Sequence, residues 1–176
     1  MAVAITGTIF FLAGSATAQD LEKEPGYLDV NKLEDWFDVE PRIEVNIKGS
    51  LLRLVAEASR YEDPELFSLL GRLRAIQVRG FDLGGENIGE VRRQAQDMGE
   101  SLESDGWETI VRVREDDEQV HMYLRSEDDA IAGLIVMVVS DDEEEAVFVN
   151  IVGEIDPMQV GRLGRKFNIG RLDSDW

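Results

Sequence analysis

An α+β fold, a two-layer sandwich of a mixed sheet of about six strands with helices packed on one face, is predicted by three features of this 176-residue sequence. Ala132 to Val139 has no polar residue at either parity, so both faces of that segment must be covered, as in a central strand. Segments 42–48, 107–114 and 120–125 alternate apolar and polar residues, the pattern of strands with one face toward water. Apolar stripes at helical spacing, each preceded by capping residues, stand between strands at 63–73 and 87–102.

Residues 1–18 form an apolar run ending in Ala16-Thr17-Ala18, the pattern of a secretory signal peptide cleaved before Gln19. A membrane anchor needs about 20 apolar residues, and this run is broken by Gly7, Gly14 and Ser15. Residues 19–41 are expected as a lead-in. Its first part, with Pro25-Gly26, reads as flexible, and Asn31-Lys32-Leu33-Glu34 has the form of a capping box before a short helix carrying Trp36 and Phe37.

A single α+β domain is expected over 42–170. The first strand, 42–48, places Ile43, Val45 and Ile47 on one face. Ser50 is expected to cap a helix with Leu51, Leu52, Val55 and Ala58 as its stripe, running toward Tyr61. Asp63 as N-cap and Pro64 at the first helical position open a second helix, with Leu66, Leu69, Leu70 and Leu73 facing the core. The second strand, 75–81, then calls for a right-handed crossover from the first.

Ile88, Val91, Ala95, Met98 and Leu102 form the apolar stripe of the next helix. Asp105-Gly106 ends it, and a four-stranded antiparallel meander follows at 107–114, 120–125, 131–139 and 146–155. Asp156-Pro157 is expected to open a last helix that buries Val160, Leu163 and Phe167, leaving 171–176 as a flexible tail.

With 43% apolar and 31% charged residues the chain is expected to fold around one core. The absence of cysteine excludes disulfides, thiolate metal sites, a cysteine nucleophile and a lipidated cysteine. A net charge of −19 makes nucleic acid and anionic lipid poor partners and favours cations or basic protein surfaces. No stable membrane span is expected once residues 1–18 are removed.

Gly26-Tyr27, Asp38-Val39-Glu40-Pro41, Glu44-Val45-Asn46 with Gly49-Ser50-Leu51-Leu52-Arg53-Leu54, Trp107, and Asn150-Ile151-Val152-Gly153-Glu154-Ile155-Asp156 resemble, in order and spacing, the bacterial domain-of-unknown-function family 4252. The resemblance covers nearly all of the chain after residue 18. It implies an exported bacterial protein of small α+β type, often lipidated, although this sequence has no cysteine to lipidate. It brings no catalytic residues.

No catalytic motif stands out: His121 is the only histidine, no G-x-S-x-G elbow occurs, and Gly161-Arg162-Leu163-Gly164-Arg165 falls inside an expected helix. A noncatalytic protein without a cofactor is therefore expected, exported to the periplasm or beyond and binding a protein or ligand there, with a homodimer as another use of the same surface. The candidate surface is the polar parity of the meander, where Arg112, Arg114, Tyr123 and Arg125 should share one face with His121. Two other classes stay open, an acidic cation-binding protein and a hydrolase with an unrecognised site. For the first, alternate turns of a meander lie at one end of the sheet, bringing Asp116 and Asp117 near Asp142 and Glu144, although the turns lack D-x-D-x-D-G spacing.

Overall fold

A computed structural model of the chain describes residues 21–30, 40–84, 88–128 and 130–156. The expected signal peptide, the helix of Trp36 and Phe37, the last helix and the tail lie outside the described residues. Strand β1 (Ile43–Lys48) leads through helices α1 (Gly49–Ser59) and α2 (Pro64–Leu70) into β2 (Leu73–Asp82). Helix α3 (Ile88–Ser104) then carries the chain to β3 (Glu108–Arg114), β4 (Glu118–Glu127), β5 (Ala130–Ser140) and β6 (Glu145–Ile155).

The chain has the expected α+β fold with six strands, in the order β1-β2-β6-β5-β4-β3. Every neighbouring pair is antiparallel, where a mixed sheet was expected. The difference arises between β1 and β2. A single helix there would deliver a parallel strand, but α1 carries the chain away and α2 brings it back, so β2 returns beside β1 in the opposite sense. The crossover is made by α3 instead. Four antiparallel pairings separate β2 from β3, so those two strands run the same way and α3 spans the three strands between them.

Local signals explain most element ends. Asp63 Oδ1 accepts the Leu66 N–H at 3.1 Å, as its N-cap position requires. Ser50 does not cap α1, which begins at Gly49 straight from β1 with no side-chain cap. The stripe of α1 is also rotated from expectation: Leu52 and Ala56 are buried, while Leu51, Leu54, Val55 and Tyr61 are exposed. Leu73 opens β2 rather than closing α2.

Helices cover both faces of the sheet, not one. Val91, Ala95, Met98 and Leu102 of α3 pack with Phe81, Ile135, Met137, Val139, Ala146 and Phe148. Leu52 and Ala56 of α1 and Leu70 of α2 pack in a separate core against Ile76, Leu134 and Ile151. Ile135 and Leu134 are adjacent on β5 and so point to opposite faces. The cause is the double-sided apolar character of β5 and β6, which no single helical layer can satisfy.

The segment expected as a flexible lead-in is a packed strap over 21–30. Leu21 is buried with Ala75 and Val152, and Val30 is buried in the α3 core. Gly26 lies so close to β5 that a Cβ there would stand 2.0 Å from the Ala132 carbonyl oxygen, which only glycine permits. Asn150, fully buried on β6, anchors the strap: its Oδ1 accepts from Leu28 N at 3.1 Å and its Nδ2 donates to Gly26 O at 3.0 Å. Replacing Asn150 by Ala leaves those two backbone groups without their partner, at a cost of about 1 to 3 kcal/mol. Chemical denaturation should show that loss, and limited proteolysis should cut within 21–30 in the variant before the wild type.

Candidate functional site

Arg112, Tyr123 and Arg125 belong to the face that α3 covers, so they are not the open recognition surface that alternation suggested. Tyr123 pairs with Ile135 of the core and is 0% exposed, and His121 is 1% exposed. A Cβ on Gly99 would come within 2.1 Å of the Tyr123 hydroxyl, so α3 lies directly on the ring edge. Arg112 bonds Glu103 of α3 at 3.0 Å, and Arg125 donates to the Asp105 carbonyl just beyond the helix end. Arg114 is exposed on the same parity at the rim. Arg112 and Arg125 fasten α3 to the meander, and alternation along a strand does not disclose it because the strand pattern does not say on which face the preceding helix will lie.

The Tyr123 hydroxyl lies 3.1 Å from His121 Nδ1 in the layer under α3, within hydrogen-bond distance. The neighbouring Tyr123 hydroxyl, ahead of Glu103, raises the Arg112 pKa. Burial, followed by the charges of Arg112 and Arg114, lowers the His121 pKa. Burial is also the main cause of the raised Tyr123 pKa.

The acidic turns do meet at one end of the sheet, as the meander implied. Asp141 N donates to Asp117 O at 2.8 Å, and Arg92 of α3 reaches both turns, 2.9 Å from Asp116 O and 2.8 Å from Asp141 Oδ1. A guanidinium thus lies where the turns come together. Asp116, Asp117, Asp142 and Glu144 are exposed, and among the described residues no group of three or more acidic or histidine side chains is placed to hold a metal ion. At the other end, a cleft of about 450 Å³ is lined by Glu24, Arg72, Arg74 and Glu154. Its two cations are paired, Arg72 with Glu154 at 3.1 Å and Arg74 with Glu24 at 3.6 Å, and Glu127 and Asp128 also line it.

The remaining surface is the aliphatic face opposite α3. Register aligns one unbroken rung across all six strands: Val45, Val78, Val149, Val136, Met122 and Val111. A second rung runs from Ile43 past Gly80 to Val147, Val138, Val120 and Val113. Helices α1 and α2 cover the neighbouring rung of Ile47, Ile76, Ile151 and Leu134 and go no further. Members of the two outer rungs stay half-buried, and Ile43 and Val113 at the sheet edges are 47% and 39% exposed. The apolar surface of α1, with Leu54 67% exposed, stands on the same face. This contiguous aliphatic surface is the candidate site.

The all-apolar reading of 132–139 carried part of this signal, since it required a cover on each side of β5. Among the described residues that cover is supplied for Ile135, Met137 and Val139 but not for Val136 and Val138. Among the described residues no helix is long and apolar enough to cross a membrane.

The neutral His121 has a consequence for stability. Because the folded state holds its pKa below the unfolded value of about 6.5, protonation favours unfolding. Its contribution is whole above about pH 6.5 and is lost as pH falls toward the lowered folded value. Denaturation midpoints measured from about pH 7 to about pH 5 should therefore fall more steeply for the wild type than for His121→Gln. Parallel slopes would show that the ring does not titrate on unfolding.

No curated protein matches the sequence. A family model described as Domain of unknown function (DUF4252) matches residues 37–163, which takes in the six strands and three helices of the described residues. The chain belongs to that family.

Proposed function

We propose that the protein is a noncatalytic, exported binding module whose docking surface is the aliphatic face of the sheet. The observation that supports this reading is the pair of aliphatic rungs left open beyond α1 and α2. The fitting occupant is a polypeptide segment with an aliphatic side and basic flanks. Its apolar side chains would bury the rungs, and its cations would meet a chain of net charge −19 whose turns at that end carry Glu115, Asp116, Asp117, Asp142 and Glu143. An anionic membrane or nucleic acid would meet repulsion there. Export rests on the apolar run of residues 1–18 and its Ala16-Thr17-Ala18 ending.

Titration of the full chain with a labelled leucine- and lysine-rich amphipathic peptide tests the surface. Binding should saturate, weaken at high salt, and fall at least tenfold in Val136→Asp. Val136→Thr/Val138→Thr, which keeps side-chain volume and strand propensity, should fall several-fold with unchanged circular dichroism. Equal binding by all three proteins would remove the face as the site. The address is checked by mass spectrometry of protein exported by the bacterium, where the chain should begin at Gln19.

A further inference from the structure

We infer that the protein forms a two-fold dimer in which β1 of one copy pairs antiparallel with β1 of a second, joining the two sheets edge to edge. This contact uses the rim of the sheet and stands apart from the docking reading of its face. In the order β1-β2-β6-β5-β4-β3 the edge strands are β1 and β3, and among the described residues no strand pairs with the outer side of either. The two edges differ. A register shift between Thr109 and Val111 interrupts β3, an irregularity that blunts an edge against pairing. β1 pairs with β2 from Ile43 to Lys48 without a shift, so its outer backbone groups offer a regular ladder.

Side chains select one register. A two-fold axis normal to the sheet keeps each face with its like only where opposed residues have the same parity. Centring the pair on Asn46 sets Glu44 opposite Lys48 of the second copy, twice by symmetry, and Val45 opposite Ile47. Centring on Glu44 would bring two carboxylates together, and centring on Val45 would set Arg42 opposite Lys48. Centring on Ile47 would run into α1, which begins at Gly49. The polar members of the favoured register are already positioned: Arg79 bonds Glu44 Oε1 at 3.2 Å, and Asn46 Oδ1 accepts from Gln77 at 3.3 Å.

Burial and charge agree with this contact. Of the seven exposed large apolar side chains among the described residues, Ile43, Leu51, Leu54, Val55 and Tyr61 all lie in β1, α1 or the turn after it. In the register centred on Asn46, Ile43 comes opposite Gly49 of the second copy, beside Leu51 in the first turn of α1. Residues 42–60 hold Arg42, Lys48, Arg53 and Arg60 against Glu44 and Glu57. This edge therefore does not share the acidic character of a chain of net charge −19, and two copies can approach through it.

Sedimentation of the full chain should show a dimer whose fraction rises with concentration. Lys48→Glu makes both cross-axis pairs repulsive and should weaken the dimer at least tenfold. The variant should fold, because Lys48 is exposed at the N-cap of α1, where an acidic side chain is favourable. Unchanged circular dichroism and melting temperature check that.

The chain contains no cysteine, so a single introduced thiol reports the axis without background. Asn46→Cys opposes its own symmetry mate at a cross-strand spacing a disulfide can bridge. Under mild oxidation it should form linked dimers at least ten times faster than Ser50→Cys, beyond the paired residues, or Val113→Cys on the other edge strand. A chain that stays monomeric as its concentration is raised would overturn the inference. So would a dimer indifferent to Lys48→Glu, or linkage through Asn46→Cys no faster than through the two controls.

Discussion

The pairing of β5 with β6 is the constraint from which the rest of the molecule follows. Both strands are apolar at nearly every position, and each is flanked on both sides by other strands, so neither face can be left to water without cost. Two separate covers result. One is built from α3 and the strap at 21–30, the other from the α1–α2 hairpin. The chain order places them on opposite sides because α3 must travel from β2 to β3 across the sheet, while α1 and α2 only join neighbours.

The two covers are of different kinds. On the α3 side the sheet carries buried polar groups, Gln77, Arg79, His121 and Asn150, each tied to something specific. Arg79 pairs with Glu44 at 3.2 Å, Gln77 bonds Asn46 at 3.3 Å, and Asn150 holds the strap. Bonds of this kind are directional, so another arrangement would have to replace each of them. The opposite face has aliphatic side chains at these rungs and nothing to fix the orientation of what packs on it. Non-directional burial there can be met by more than one occupant.

Much of this was legible in the sequence, and the failures share a cause. Alternation gave the strands, Asp63-Pro64 gave the start of α2, and the spacing of Val91, Ala95, Met98 and Leu102 gave the buried side of α3. The meander correctly brought the two acidic turns together. What period alone does not give is which side of a strand another element will cover. His121, Tyr123 and Arg125 are polar or amphipathic and read as facing water, yet α3 folds back over that face, burying His121 and Tyr123 and taking the Arg125 guanidinium at its C-terminal end. The strap was missed because Pro25-Gly26 reads as a turn signal, whereas Gly26 is small to fit against Gly133.

The same reversal explains why the candidate surface is aliphatic rather than charged. In a chain of net charge −19, cations are scarce, and several around the meander hold structure: Arg92 of α3 between two acidic turns, Arg112 on Glu103, Arg125 on the end of α3. The acidic groups that remain are displayed at the turns and screened by water and salt. They can steer a basic segment toward the sheet over a distance of about 8 to 10 Å at ordinary ionic strength, but hydrated carboxylates at hairpin tips supply little affinity once it arrives. Burial of the rungs centred on Val136 and Val138 has to supply that. Attraction and adhesion therefore reside in different residues, so salt should govern how fast an occupant finds the face and side-chain volume should govern how long it stays.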